Sequence, residues 1–441
     1  MSDRTTPIER RLAGAGLPTL PRLTWLEVDL SALSGNAATL VQMLAPPTRL
    51  AAVVKADGYG HGMIAAAHAA LSGGAEMLAV ATLDEALALR RAGFTARILV
   101  LYAVPRGALA DAITADLDLV AMDDASVEDL AAILGRTPST GPRPRIHLCV
   151  ETGMTRGGFA AHEAVAAARR LLAAGLPALA GTWSHLAIPE DAVATRRQVE
   201  AFESALSALR GVGIDPGRRH LMASGGLLDE ANPTYELVRV GLALYGHVPS
   251  EVSVSAGRAA AIGRLRPTLT LKARAASIET VPTGWSVGYG GSWMAPRTSR
   301  IATIALGYAD GWTRLYAGAP ARVRGHAVAL VGRVGSDAVA VDVTDVDGFD
   351  PADELVLLSP TGEGSTVEQL ADRRGSIPWE VLDDLAPRIA RVYLEDGRPV
   401  ATRYLDGRLT LAPGFQLTTA TRTSSDQPLS LPAASRAVTT K

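Results

Sequence analysis

A single cysteine, Cys149, stands among the 441 residues, so no disulfide can form within one chain and the fold has to be held by burial alone. Lysine is almost as scarce: Lys55, Lys272 and Lys441 are the three, and the rest of the 43 basic residues are arginine. Aromatics make up 5%. Neither sign of charge dominates, with 43 basic against 45 acidic side chains and a net charge of −2, which excludes a field able to draw in nucleic acid or an anionic membrane. No strongly apolar run reaches the roughly 18 to 20 residues of a membrane span, because Gly, Pro, Arg or His cuts every Ala/Leu stretch. The opening MSDRTTPIERRL places charges where a secretory leader needs an apolar core, so a cytoplasmic address is expected.

What the chain does contain is ample core material: 48% of residues are hydrophobic and 20% charged, and at about 150 residues per domain the length allows two or three domains. From about residue 50 to 245, short apolar runs alternate with longer stretches of helical period, the pattern of strand-helix-strand units around a parallel sheet. Eight strand candidates emerge: AAVV from Ala51, LAVA from Leu78, RILVL from Arg97, DLVA from Asp118, IHLCV from Ile146, LAGTW from Leu179, HLMA from His220 and VGLALYG from Val240. Eight such units predict an α/β fold, a (β/α)₈ TIM-like barrel with its site at the C-terminal strand ends; a doubly wound open sheet is the competing arrangement. After Arg264 the texture becomes alternating strands with Gly, Pro and Asp turns (TLTLKARAASI, ARVRG, AVALVG, AVAVDV), which predicts a separate, mostly-β C-terminal domain. The expected division is a flexible N-terminal extension over 1–20, the barrel over 21–255, the β domain over 256–413 and a flexible tail over 414–441.

Against so arginine-rich a background, a lysine within a glycine-rich sequence stands out. VVKADGYGHG puts Lys55 directly after the first barrel strand, the catalytic address of this architecture. An amine emerging from apolar Val53 and Val54 is partly desolvated, which favours its neutral form and makes it available for a Schiff base. A plain surface lysine on a loop is the alternative.

The motif resembles that of the alanine racemases, fold-type III enzymes that depend on pyridoxal phosphate. The resemblance runs from TWLEVDLSAL at Thr24 to RVYLEDGRPV at Arg391, with the motifs in family order. It implies that Lys55 binds the cofactor covalently, and that Tyr59, Ser224 of ASGG, Gly241 and Tyr393 of RIARVY contact the phosphate. By their residue types alone, Tyr59 would serve as a buried aromatic, Ser224 as a helix cap and Gly241 as a packing glycine. Arg239, in VRVGLALYG, resembles the arginine that faces the pyridine nitrogen. A guanidinium accepts no hydrogen bond, so that nitrogen stays unprotonated, the cofactor is a weaker electron sink, and proton removal and return is favoured over other routes. An ion-paired arginine is the plainer reading.

Racemisation needs a base on each face of Cα. The resemblance gives one face to Lys55 and the other to Tyr289 of SVGYGGSW, with His185 of WSHLA and Arg156 of ETGMTRGGF favouring the phenolate. Spacing alone would make His185 a core histidine and Arg156 a solvated charge. Since Tyr289 lies in the β domain and comes from the partner subunit in the family, a head-to-tail homodimer with shared sites is implied. Tyr308 and Asp310 of GYADG resemble residues lining the substrate's access route, while Ser336 and Asp337 of GRVGSDA fall where the substrate is expected; turn aspartates are the alternative for Asp310 and Asp337. No metal is expected.

Some residues depart from the family pattern. Cys149 occupies the position where the family often has a carbamylated lysine that orients the arginine after the GM motif, so Arg156 lacks that anion; chloride or Glu151 would have to replace it. As a nucleophile Cys149 is disfavoured by its apolar neighbours. Gly335 and Ser336 replace a common Cys-Met pair, which widens the pocket, and Ala223 and Val240 replace a common asparagine and proline. The expected function is interconversion of L- and D-alanine, with racemisation or epimerisation of another small amino acid such as serine, in a specialised pathway, as the alternative. Decarboxylation fits poorly because the cysteine lies in the barrel, and a non-catalytic cofactor carrier would not need the β domain.

Overall fold

The structure, a computed structural model, describes residues 7–136 and 143–421. The chain enters through a strand, β1 (Thr24–Asp29), and then builds eight more that are short and, β8 apart, mostly buried. These are β2 (Arg49–Val53), β3 (Met77–Val80), β4 (Arg97–Val100), β5 (Asp118–Ala121), β6 (Arg145–Cys149), β7 (Gly181–Trp183), β8 (Arg218–His220) and β9 (Leu237–Val240). Such β-branched and aliphatic runs lack polar alternation because both faces are covered, one by the lumen side chains and one by the helices that follow each strand.

Neighbours from β2 to β8 pair in parallel in chain order, and β9 returns to β2 with Arg49 opposite Leu237 and Ala52 opposite Val240. The last seam is thinner: Glu236 N donates to Arg219 O at 3.2 Å and Arg239 N to Met222 O at 3.0 Å, which brings β8 against β9 and nearly closes the barrel. The predicted last strand shifts. VGLALYG is not extended: beyond Val240 the backbone turns at Gly241, Leu242–Tyr245 forms a 3₁₀ turn, and Gly246 ends it in the left-handed region at φ 85°. The strand is LVRV instead, one turn earlier.

The second domain is mostly β, centred on an 11-stranded sheet. β1 belongs to this sheet and not to the barrel, lying antiparallel to β10 (Leu269–Ala273) and parallel to the strand Ala390–Glu395. A segment as uniformly buried as TWLEV needs hydrogen-bonding neighbours on both edges, and the sheet supplies them.

Both terminal expectations need correction. Residues 7–20 are not a flexible extension: Ile8–Gly14 forms a helix, α1, whose Ile8 and Leu12, one turn apart, pack with Trp25, Val392 and Leu394, while Arg11 pairs with Glu27 at 2.8 Å. The segment from 414 to 421 is likewise pinned to the barrel. Thr418 N donates to His68 Nδ1 at 2.7 Å, Thr419 O accepts from Thr95 N at 2.9 Å and Ala96 N at 3.1 Å, Thr421 Oγ1 donates to Glu76 O at 2.8 Å, and the Phe415 ring meets His68 edge-on. Its threonines offered no apolar period to read, yet their backbone and the Thr421 hydroxyl supply contacts. The remainder of that tail, 422–441, lies outside the described residues. Among the described residues no helix is long and apolar enough to cross a membrane.

Candidate active site

Lys55 leaves the C-terminal end of β2 and starts a rare backbone: Ala56, Asp57, Gly58, Tyr59 and Gly60 take φ of 52, 53, 64, 50 and 73°. Left-handed geometry costs an L-residue roughly 1–2 kcal/mol, so such a turn persists only when its surroundings over-determine it. Here they do. The Asp57 carboxylate accepts two bonds from Arg403, at 2.6 and 2.5 Å, and a third from Met63 N at 3.0 Å. Glu85 accepts from Ala56 N at 2.7 Å, and Gly60 O accepts from Arg391 Nη2 at 3.0 Å. The lysine is thereby fixed at the strand end.

Across the barrel, Arg239 on β9 is 3% exposed and lacks a carboxylate partner among the described residues. Its Nη1 donates to His220 Nδ1 at 2.7 Å and His220 O at 3.0 Å; its Nη2 donates to Ser184 O at 2.6 Å and reaches His185 Nδ1 at 3.2 Å and Leu221 O at 3.3 Å. The guanidinium also lies over the Trp183 ring at 4.9 Å. Nε forms no hydrogen bond among the described residues. Because arginine only donates, His220 must accept at Nδ1 and carry its proton on Nε2, which it donates to His147 Nδ1 at 2.8 Å; His147 in turn donates from Nε2 to Asp118 at 3.1 Å. Asp118 is anchored by Arg97 and Arg145. Burial raises the Asp118 acid, but the bond from His147 and the arginine charge outweigh it and lower the carboxyl, while burial lowers both histidines and keeps them neutral. Burial, with Arg156 adding repulsion, pushes the Arg239 guanidinium down to about 9, still cationic at neutral pH.

Tyr59, Gly241 and Ser224 meet at a second point. A Cβ on Gly241 would fall 2.5 Å from the Tyr59 hydroxyl, and Ser224 Oγ accepts from Ala243 N at 3.3 Å. The Tyr59 hydroxyl has no hydrogen-bond partner among the described residues, and burial, then the charges of Asp383 and Glu85, hold it protonated. Tyr393 is not brought to this point. Its strand directs it behind the lysine turn, where its hydroxyl would lie 2.0 Å from a Cβ on Gly62 and where Arg403, Asp57 and Arg391 are the charges it feels.

His185 is pushed down to about 3 by burial, then by the Arg239, Arg156 and Lys55 charges, so it is neutral and, accepting at Nδ1, keeps its proton on Nε2. Arg156 is exposed and makes no hydrogen bond or ion pair among the described residues. The Glu151 carboxylate accepts from Gly153 N and does not pair with Arg156. Cys149 is buried with its thiol pushed up to about 12, which removes it as a nucleophile.

The second domain's residues stand apart. Tyr289 is 76% exposed and Tyr308 53%, and among the described residues neither is joined to a barrel side chain by a hydrogen bond or ring contact. The Tyr289 ring lies on Gly335, where a Cβ would come within 3.3 Å of Cε2. Ser336 O accepts from Ala309 N at 3.0 Å, and Asp337 pairs with Arg388. Asp310 does not line an access route: it is fully buried, accepting from Arg22 at 2.9 Å, Arg388 at 2.6 Å and Gly307 N at 3.0 Å. Sequence reasoning missed Trp183, His220, His147 and Asp118. Polar residues inside otherwise apolar strands, as in IHLCV and DLVA, were the available signal.

Comparison with known proteins bears on this arrangement. The family profile "Alanine racemase, N-terminal domain" matches residues 28–249 and "Alanine racemase, C-terminal domain" residues 268–393. The chain is 38% identical over 373 residues to the alanine racemase of Thermobifida fusca, covering 83% of this chain and 96% of that one. Among solved structures it resembles the alanine racemase of Bacillus anthracis with bound L-Ala-P, at 30% identity and a TM-score of 0.79, covering 88% of this chain and 99% of that one. It also resembles the alanine racemase of D-cycloserine-producing Streptomyces lavendulae, at 33% identity and a TM-score of 0.74, covering 85% and 98%.

Proposed function

The chain belongs to the alanine racemase family, and on that premise we propose that it interconverts L- and D-alanine with pyridoxal 5′-phosphate, as a head-to-tail homodimer whose two sites are shared. The observation that carries this reading is Arg239, a buried guanidinium whose terminal nitrogens are engaged while Nε is left without a partner among the described residues.

The residues present fit the cofactor. Lys55 would hold it covalently, Arg239 Nε would meet its ring nitrogen, and Tyr59, Ser224 and Gly241 would hold its phosphate, where Gly241 keeps a side chain out of the space beside the Tyr59 hydroxyl. When bound, the cofactor withdraws electrons from the substrate and so acidifies its Cα–H bond.

The chain's own residues then divide the work. Lys55 Nζ takes or returns a proton on one face of Cα, and Tyr289 of the partner subunit does so on the other through its phenol oxygen. Arg239 has no acceptor atom, so it cannot relay a proton onto the ring nitrogen, and the neutral His220–His147–Asp118 chain fixes its plane without offering a proton of its own. Neutral His185 keeps an Nε2–H to offer the phenol oxygen. Arg156, unpaired, is available to the substrate carboxylate. One observation favours a wider range of substrates: at Gly335 no side chain intervenes beside the Tyr289 ring.

The test is Cα deuterium exchange in heavy water over a panel of L- and D-amino acids that includes alanine and serine, together with borohydride trapping read at Lys55. Exchange and racemisation of alanine with the label on Lys55 is the expected result. Cofactor bound elsewhere, or Cα–H that does not exchange, would overturn the reading.

A further inference from the structure

Two loops of the second domain meet at one end of its sheet. The strand Ser299–Ile304 runs on to Tyr308 and Asp310, while Ser336 and Asp337 lead into the strand Val339–Asp342, whose Val339 pairs with Ile304. The loops are bonded backbone to backbone: Tyr308 N donates to Gly335 O and Ala309 N to Ser336 O, both at 3.0 Å. No side chain fits between them, since a Cβ on Gly307 would fall 2.4 Å from Gly335 O and 2.3 Å from Ser336 O.

A fully buried carboxylate holds this junction. Asp310 accepts from Gly307 N at 3.0 Å, Arg22 Nη1 at 2.9 Å and Arg388 Nε at 2.6 Å. The remaining bonds of Arg22 go to the carbonyls of Arg388 and Ala305, at 3.0 and 3.2 Å. Arg388 instead reaches outward, its Nη2 shared between Asp310 at 3.3 Å and the exposed Asp337. The segment before it is docked on the same turn: Ala386 N donates to Asp310 O at 3.1 Å, and a Cβ on Gly311 would lie 2.1 Å from Asp384 O. A lone ion pair at the surface holds its side chains weakly. This guanidinium is anchored on a buried partner, so it can hold Asp337 in one place, and within the cluster two guanidiniums cancel two carboxylates.

Resting on the racemase reading, in which Ser336 and Asp337 come to the substrate, we propose that Arg388 is a positioning residue: it keeps the Asp337 carboxylate paired, so that the loop does not meet the substrate carboxylate with a free negative charge. Without Arg388 the like charges repel, in the ground state and in the transition state alike. Affinity for the substrate, and not turnover, is what Arg388 preserves.

Steady-state kinetics of the loaded enzyme with alanine separate this role from simple bracing. Arg388→Gln should raise KM about 5- to 10-fold and leave kcat within about 2-fold of the wild type. That penalty should shrink as NaCl rises from about 0.05 to 0.5 M, because salt screens an exposed charge. Adding Asp337→Asn should lower the raised KM again, since the unpaired charge is then gone. Arg22→Gln takes a guanidinium from the same buried Asp310 but leaves Asp337 paired, so its KM should stay near the wild-type value. A KM that rises equally in Arg22→Gln, ignores salt, or stays high with Asp337→Asn added would make the cluster a brace alone and overturn the assignment. Hydrogen exchange over 305–311 and 332–338, read by mass spectrometry, needs no substrate and should quicken in Arg388→Gln; unchanged exchange would mean that Arg388 holds nothing there. If the protein racemises nothing yet exchange quickens, the clamp stands and the racemase reading falls.

Discussion

In the barrel half of the site Arg239 is 3% exposed with its terminal nitrogens all engaged, whereas in the second domain Tyr289 is 76% exposed and its hydroxyl has no hydrogen-bond partner among the described residues. The first half is complete within one chain: lysine turn, arginine, histidine chain and the Tyr59–Gly241 contact brace one another. The second half presents aromatic surface to solvent, with Trp285 at 65% and Met294 at 59% beside Tyr289, and solvent-facing apolar groups of that size are what an interface covers. Burial fixes the barrel half around Arg239 and Tyr59, while under the proposed function Tyr289 would be completed by another copy of the chain.

The comparison breaks most readily by mixing. Lys55→Ala and Tyr289→Phe should each cut racemisation by about 10³-fold, and mixed dimers should recover about a quarter of wild-type activity, because half the dimers then carry one intact site of two. No recovery on co-refolding would mean that the two residues serve one chain. Next in size, Arg239→Gln should lower turnover about 100-fold yet change stability by less than about 1 kcal/mol, since the lost hydrogen bonds are offset by removal of a buried, unpaired cation. Urea unfolding decides it, and a large destabilisation would show that the guanidinium is structural.

Protonation probes the braced half more gently. Burial pushes His61 down to about 3 and His68 to about 4, so the unfolded chain binds protons near pH 6.5 that the folded chain refuses. Stability is then full above pH 6.5 and falls on acidification by up to about 1.4 kcal/mol per pH unit for each histidine until its folded value is reached. Unfolding free energies that stay flat from pH 7 to 5 would contradict this. Truncation after Pro413 removes the donor to His68 and should cost about 1–3 kcal/mol, read as a lower urea midpoint with unchanged kcat. The smallest effect is expected from Cys149→Lys with bicarbonate, which should shift the substrate KM or kcat a few-fold by giving Arg156 an anion; identical kinetics would show that Arg156 needs none.

The lysine turn was legible because VVKADGYGHG compresses strand, amine and glycines into ten residues, and most of the barrel strands were legible because both-face burial leaves apolar runs. The His220–His147–Asp118 chain was not, since each member reads singly as a satisfied core residue and only barrel closure sets them side by side. Tyr393 misled for the opposite reason, since strand pairing and not motif position decides which way its ring points.

Local sequence therefore determined the elements, their order and the chemistry of the single barrel lysine, because propensity and apolar period act over a few residues. Which polar groups meet across the barrel and where the terminal segments pack were decided by tertiary structure, because those contacts join positions up to several hundred residues apart that no local period connects.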